Sequence, residues 1–169
     1  MIMPSPTWTP RVGKTLRILL LEDDEQLAAT LKVFLESNSC QVTQVENGVE
    51  GLRRIMDEDF DLVLCDMVMP RFPGDKFYLA VERVKPTLCR RFLFMTGHRA
   101  EPKYETFIQE IDGLILWKPF GTRELYAAIQ NVLRRADELD VAEWSKTISN
   151  SRGQPDQSPS DDTGEGSAQ

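Results

Sequence analysis

The sequence predicts an α/β fold in which helices cover both faces of a five-stranded parallel sheet. Short apolar blocks alternate along the chain with longer segments of helical periodicity, which is the pattern of repeated strand–helix units. Most of the apolar blocks are nearly continuous, as expected for parallel strands that are buried on both faces. Strict alternation of this kind implies right-handed crossovers between neighbouring strands.

Five apolar runs are the predicted strands. Four of them are nearly continuous, whereas the second alternates apolar and polar residues, which is typical of a strand at the edge of a sheet. In chain order the predicted strands are RILLLE at 17–22, QVTQV at 41–45, DLVLC at 61–65, RFLFM at 91–95 and GLILW at 113–117.

A helical pattern follows each predicted strand, because apolar residues recur three and four positions apart. We interpret these stripes as core: Leu27, Leu31, Phe34 and Leu35; Val49, Leu52, Ile55 and Met56; Phe77, Ala80, Val81 and Val84; Tyr104, Phe107, Ile108 and Ile111; Leu125, Ala128, Ile129, Val132 and Leu133. Five strand–helix units fit a single flavodoxin-like, doubly wound domain with strand order 2-1-3-4-5.

The two ends of the chain differ from this body. Residues 1–15 contain prolines among small polar residues, which predicts an irregular lead-in. Residues 138–169 are acidic and polar, and their apolar periodicity fades, so we expect a tail that is largely disordered. The folded domain is therefore predicted at 16–137.

Composition argues against several classes of function. The chain has a net charge of −7 and no basic stripe, which argues against nucleic-acid binding. Cys40, Cys65 and Cys89 lack C-x-x-C spacing, so the sequence predicts neither a disulfide framework nor a zinc site. There is no signal-peptide pattern, and no apolar run approaches the roughly 20 residues of a membrane span. We therefore expect a cytoplasmic protein with neither a nucleic-acid nor a membrane partner.

Polar and charged residues stand where four of the predicted strands end. Glu22 and Asp23 mark the end of the first strand, Asp66 the third, Thr96 the fourth and Lys118 the fifth. The carboxyl ends of parallel strands lie on one edge of the sheet, where ligands bind near the switch point between the first and third strands. We therefore predict that three carboxylates, a hydroxyl and an ammonium group converge there.

This set of groups predicts a phosphoryl site. Clustered carboxylates repel one another unless a cation lies among them, and oxygen ligands suit Mg²⁺. An aspartate is ionised at neutral pH and can attack phosphorus without a general base. Lys118 would pair with a carboxylate at rest and with a phosphoryl oxygen during transfer. Asp24 and Glu25 are explained more simply by favourable interaction with a helix N-terminus.

The residues and their spacing resemble the receiver domain of two-component response regulators over residues 16–137. The match rests on the acidic pair Glu22-Asp23, on Asp66, on Thr96 thirty residues later, and on Lys118 twenty-two residues after that. The sequence MVMP after Asp66, the glycine turn at position 74 and the Lys-Pro-Phe at 118–120 also match.

The resemblance implies a role for each site residue. Asp66 would be the phosphoacceptor and one of the Mg²⁺ ligands, and Asp23 would be a direct Mg²⁺ ligand. Glu22 would bind the ion through water, and the main-chain carbonyl of Val68 would be a further ligand. Lys118 would hold the phosphoryl group. Thr96 would move toward that group as the switch residue, and the Lys118–Pro119 bond would be cis.

The implied function is that of a phosphoacceptor in a two-component phosphorelay. Asp66 would take a phosphoryl group from a phosphohistidine on a sensor histidine kinase or a histidine phosphotransfer protein, with Mg²⁺ as cofactor. The surface of the fourth helix, fifth strand and fifth helix would then bind a downstream protein, and dimerisation is also compatible with the resemblance. Such a protein modifies itself and is not a turnover enzyme. It would be either a stand-alone receiver or a receiver excised from a hybrid kinase.

Two positions near the site are less regular. Three residues before Lys118 the family usually has an aromatic residue that changes rotamer with Thr96, whereas this chain has Ile115. A β-branched side chain is stiff and cannot change rotamer as the aromatic residue does. The sequence therefore does not indicate how the signal of phosphorylation passes from the site to the surface. His98 is the only histidine. It either tunes hydrolysis of the acyl phosphate or, as we favour, is an exposed loop residue.

Two other functions stay open on the sequence alone. One is a Mg²⁺-dependent phosphatase or phosphotransferase, although its usual D-x-D after a strand is lacking, since D-F-D at 59–61 precedes a strand. The other is an interaction module that keeps the fold without phosphorylation. The complete set of site residues argues against that module, while Ile115 leaves it open.

Overall fold

The computed structural model describes residues 14–98 and 101–151. Five strands form one parallel sheet in the order β2-β1-β3-β4-β5, which confirms the predicted topology. The strands are β1 Leu16–Leu21, β2 Cys40–Val45, β3 Leu62–Asp66, β4 Phe92–Thr96 and β5 Leu114–Trp117. Each boundary lies within one residue of its predicted position. The lead-in predicted at 1–15 lies outside the described residues, apart from its last two.

The helices are α1 Glu25–Ser37, α2 Gly48–Asp57, α3 Gly74–Val84, α4 Pro102–Glu110 and α5 Thr122–Ser151. A short 3₁₀ helix, Pro86–Arg91, lies between α3 and β4 and was not predicted. Its first residue explains why α3 stops at Val84. A proline disfavours helical backbone in the residue before it, and Lys85 leaves the helical region with φ −150°.

The core has two layers, one on each face of the sheet. Successive residues of a strand point to opposite faces, so Leu19 and Leu21 of β1 pack with α2, α3 and α4, whereas Ile18 and Leu20 pack with α1 and α5. Every residue of β3 and β4 is buried. The continuous apolar runs therefore correspond to strands covered on both sides.

Three residues that were predicted to be core are exposed instead. Val49 and Met56 on α2 are 68% and 70% exposed, and Val84 is 50% exposed. The buried face of α2 is formed by Gly48 and Ile55 together with Gly51. Val49 and Met56 each follow one of these residues and so lie about 100° further round the helix. Val84 is the last residue of α3, and its side chain extends beyond the covered face.

The chain divides into one compact unit ending at Ala136 and a second unit beginning at Asp137. Residues 138–151, predicted as part of a disordered tail, are helical. Glu, Leu and Ala are good helix formers and this stretch has no Gly or Pro, so a helix that has already formed can extend without a buried stripe. The rest of the predicted tail, residues 152–169, lies outside the described residues. Within the described part of the chain, no helix combines the length and apolar character needed to cross a bilayer.

The cysteines carry a prediction about reactivity. All three are free thiols; Cys40 and Cys65 are buried, and Cys89 is half-buried. Burial raises the pKa of Cys40 and of Cys89 from 9.0 to about 11. Because the thiolate is the nucleophile, each should be alkylated roughly 100-fold more slowly at pH 8 than an unperturbed thiol. Mass spectrometry after iodoacetamide treatment, with and without denaturant, would measure this difference. Equal labelling rates in both conditions would contradict it.

Candidate functional site

Glu22, Asp66 and Lys118 meet at the carboxyl edge of the sheet. Strands β1 and β3 are hydrogen-bonded neighbours, with Leu21 opposite Cys65, so the residues that follow lie side by side. The ammonium of Lys118 donates to Oε2 of Glu22 at 2.6 Å and to Oδ2 of Asp66 at 2.9 Å. The Lys118–Pro119 peptide bond is cis. One lysine thus joins two carboxylates that are far away in sequence.

The carboxylates of Glu22 and Asp66 are almost completely shielded from solvent. Glu22 is 1% and Asp66 6% exposed. Burial raises the pKa of Glu22 above its usual value of 4.5, the hydrogen bond from Lys118 opposes that rise, and the negative charge of Asp66 adds to it. Burial by itself would lower the pKa of Lys118, but its hydrogen bonds to Glu22 and Asp66 outweigh burial and raise the pKa. Lys118 therefore remains a cation at neutral pH.

The acidic cluster has the composition of a site for a hard cation. Glu22, Asp23 and Asp66 each offer one carboxylate oxygen, and these oxygens all lie within 4.8 Å of one another. Lys118 pairs with two of these three carboxylates, Glu22 and Asp66, so the cluster has an excess of negative charge. Asp23 is exposed at the solvent side of the cluster, where an ion can retain water. The oxygen donors and the excess negative charge both fit a small divalent cation.

The carboxylate of the next acidic residue, Asp24, caps the helix and does not belong to the acidic cluster. Its Oδ1 accepts hydrogen bonds from the N–H groups of Gln26 and Leu27, both at 3.0 Å, and so caps α1. Its own N–H donates to Oε1 of Glu22 at 3.1 Å. The interaction with a helix N-terminus that the sequence favoured is present, and the cap also helps to orient Glu22.

The loop between β3 and α3 holds Asp66 from the other side. The N–H of Val68 donates to Oδ1 of Asp66 at 3.0 Å, so each carboxylate oxygen of Asp66 has a donor. A Cβ atom added at Gly74 would lie 2.7 Å from the carbonyl oxygen of Asp66 and 3.0 Å from Cα of Met67. Only a glycine fits against these backbone atoms. Sequence reasoning missed the Val68 N–H contact, because every non-proline residue has this donor and its direction depends on the loop.

The family comparison agrees with this geometry. The family model described as "Response regulator receiver domain" matches residues 18–130. The chain belongs to the response regulator receiver family. The match begins within β1, covers the other four strands in full and includes the candidate site residues at the carboxyl ends of the strands.

Individual relatives cover the receiver to different extents. The response regulator receiver protein CpdR of Brucella abortus is 33% identical over 117 residues, which are 69% of this chain and 96% of CpdR. The transcriptional regulatory protein GlrR of Escherichia coli is 29% identical over 135 residues, or 80% of this chain but 30% of GlrR. This chain thus spans nearly all of CpdR and less than a third of GlrR.

Solved structures show the same fold. A putative response regulator from Chloroflexus aurantiacus superimposes with a TM-score of 0.65 at 26% identity, covering 72% of this chain and all of that one. The chemotaxis protein CheY4 of Vibrio cholerae superimposes with a TM-score of 0.63 at 22% identity, covering 71% of this chain and all of that one. At 22% identity, the second likeness shows the fold alone.

Thr96 lies beside Asp66 in the receiver sheet. Asp66 is opposite Met95 in the β3–β4 register, and Thr96 is the next residue of β4 and fully buried. Its Oγ1 accepts a hydrogen bond from the N–H of His98 at 3.2 Å, and its carbonyl accepts one from the N–H of Lys118 at 2.8 Å. The imidazole of His98 is 55% exposed and its Nδ1 lies 3.6 Å from Glu101. His98 is therefore an exposed loop residue, as favoured.

Ile115 occupies β5 of the receiver at the position where the resemblance implies an aromatic ring. It lies opposite Phe94 in the β4–β5 register and packs, partly buried, against the core cluster that contains Tyr104, as Phe107 also does. The rings of Phe94 and Phe107 meet edge to face with centroids 5.8 Å apart. The ring of Phe107 also meets that of Tyr78 on α3 edge to face, with centroids 5.7 Å apart. The rings that pack against α4 therefore come from α3 and β4 and do not depend on β5.

Proposed function

We propose that this receiver accepts a single phosphoryl group on Asp66, with Mg²⁺ held by Glu22, Asp23, Asp66 and the main-chain carbonyl of Val68. The observation that carries the proposal is the pairing of Lys118 with both Asp66 and Glu22. A buried carboxylate that is fixed by an ammonium group and by a backbone N–H is oriented for attack and does not need a general base.

The chain's residues would act mainly by position and charge. An oxygen of Asp66 bonds to phosphorus while the phosphorus–nitrogen bond to the donor histidine breaks, and the donor imidazole retains the nitrogen electron pair. Lys118 exchanges its Asp66 contact for a phosphoryl oxygen, which lowers the cost of charge on the transferring group. The hydroxyl of Thr96 gives up its hydrogen bond from the N–H of His98 and donates a hydrogen bond to another phosphoryl oxygen. Mg²⁺, when bound, neutralises phosphoryl charge.

The proposed donor is a sensor histidine kinase or a histidine phosphotransfer protein, which is compatible with a cytoplasmic location. The proposed output surface is formed by α4, β5 and the first part of α5. Strand β5 is the neighbour of β4, which ends at Thr96, and Lys118 directly follows β5. The receiver would be modified once per signal and would not turn over an external substrate. Membership of the receiver family and the grouped site residues support these assignments.

The proposal is tested by weighing the protein after incubation with a small acyl phosphate and Mg²⁺ and quenching in acid. We expect intact-mass spectrometry to show a gain of one phosphoryl group, which does not form when EDTA is present from the start of the incubation. Turnover of a phosphoester without a lasting adduct would favour a phosphatase. Absence of an adduct with every acyl phosphate and phosphohistidine donor would favour an interaction module that is not phosphorylated.

A further inference from the structure

The loop between β3 and α3, residues 67–73, is anchored by the ring of Phe72. The ring is half-buried and meets the buried ring of Phe77 edge to face, with centroids 6.5 Å apart. It also lies directly on Gly48, the first residue of α2. A Cβ atom added at Gly48 would overlap Cδ1 of Phe72 and lie 3.1 Å from Cγ and Cε1. Phe72 thus connects the loop to both α2 and α3.

The glycine at position 48 is explained by this ring. Asn47 caps α2 by accepting a hydrogen bond from the N–H of Glu50 at 3.0 Å, so Gly48 already lies in the first helical turn. Its φ is outside the left-handed region that favours glycine. Glycine is also less favourable than alanine in a helix. Room for Phe72 is therefore the structural reason for a residue without a side chain.

The anchored loop is the one that orients Asp66. The N–H of Val68 holds Oδ1 of Asp66 at 3.0 Å, and the N–H of Gly74 closes the loop onto the carbonyl of Met67 at 3.0 Å. Between these contacts Arg71 adopts a positive φ of 68°, which is unfavourable for a residue with a side chain. A loop that contains such a residue needs contacts from outside to remain in one conformation.

We propose that Phe72 is a positioning residue for the phosphoacceptor. Its ring, seated on Gly48 and Phe77, holds the loop so that the Val68 N–H meets Asp66 and the Val68 carbonyl is available to the cation. This inference rests on the proposed function for its consequences in Mg²⁺ binding and phosphorylation. Its structural part, the link from Phe72 to the Val68 N–H, does not depend on a bound ion.

Four variants test the anchor. Phe72→Ala removes the ring and Gly48→Ala displaces it, and each should speed amide hydrogen exchange at Val68 and weaken Mg²⁺ binding by about tenfold, within the range that supporting residues of metal sites show. The double variant should match Phe72→Ala, because without the ring the added methyl group meets nothing. Phe72→Leu still fills the space beside Gly48 and Phe77, so it should stay within about threefold of wild type in both measurements.

The matched control is Phe34→Ala. Phe34 is another half-buried phenylalanine, but it lies on α1 and packs in the core layer on the opposite face of the sheet. The Phe34→Ala variant should lose about as much stability as Phe72→Ala, while its amide exchange at Val68 and its Mg²⁺ affinity remain those of wild type. If Phe72→Ala matches Phe34→Ala in all three measurements, the positioning role is overturned. A wild-type protein that fails to bind Mg²⁺ would instead refute the proposed function, and Val68 exchange would still decide whether Phe72 anchors the loop.

Discussion

The Asp66→Asn variant should take up no phosphoryl group from an acyl phosphate under conditions in which the wild-type protein takes up one. The amide oxygen is a much weaker nucleophile than a carboxylate, and the expected fall in the rate of adduct formation is at least about 100-fold. Intact-mass spectrometry on both proteins, with Mg²⁺ present throughout, measures the effect directly. An adduct of normal size on the variant would mean that another residue is the acceptor.

Loss of the adduct should not reflect loss of the fold. Asparagine has almost the same shape as aspartate, and its carbonyl oxygen can still accept the hydrogen bond from Val68. Removing the negative charge also relieves the repulsion that helps to raise the pKa of Glu22, and Lys118 retains Glu22 as its partner. We therefore expect the free energy of unfolding, measured in denaturant, to change by no more than about 1 kcal/mol.

Asp61→Asn is the matched control for this experiment. Asp61 comes directly before β3, at the opposite edge of the sheet, where its carboxylate accepts hydrogen bonds from Lys14 and from the N–H of Arg17. The substitution is chemically identical and only five positions away, but it should leave phosphoryl uptake unchanged. Equal loss of the adduct in both variants would show that the effect is not specific to the carboxyl edge.

The fold was predictable because its main signal is periodicity. Strands buried on both faces need continuous apolar runs, and these runs located β1, β3, β4 and β5 to within one residue. Periodicity failed where an apolar residue was not needed for the core, as for Val49 and Met56, which lie about 100° from the buried face of α2. It also failed after residue 137, because local propensity can extend a helix without a buried stripe.

The site was predictable as a group of residues but not as a set of contacts. Parallel topology places the carboxyl ends of all strands on one edge, so the convergence of Glu22, Asp66 and Lys118 follows from the order of elements. The sequence does not show that one ammonium would bond both carboxylates, or that the N–H of Val68 would hold Asp66. Those contacts depend on side-chain rotamers and on the path of the loop.

Replacing Lys118 with methionine should have a large effect on both stability and phosphorylation. Methionine keeps the apolar stem but leaves the carboxylates of Glu22 and Asp66 buried without their cation. Without Mg²⁺ the free energy of unfolding should fall by about 2–3 kcal/mol. This loss is at or below the lower end of the range for a broken buried ion pair, because the lysine side chain is 21% exposed. Mg²⁺ should still bind and restore part of this loss, since the acidic ligands remain.

Phosphoryl uptake by Lys118→Met should nevertheless be about 100-fold slower than in wild type, because a donor to the transferring oxygens is missing. Adding Glu22→Gln removes one unpaired charge, so the double variant should regain stability without regaining the rate. Lys85→Met is the control, since Lys85 pairs with Asp59 outside the site and should not affect uptake. A Lys118→Met protein that is phosphorylated as fast as wild type would reduce Lys118 to a structural counter-ion. The rate of phosphoryl uptake by the single variant Lys118→Met at saturating Mg²⁺ therefore decides between the two roles of this lysine.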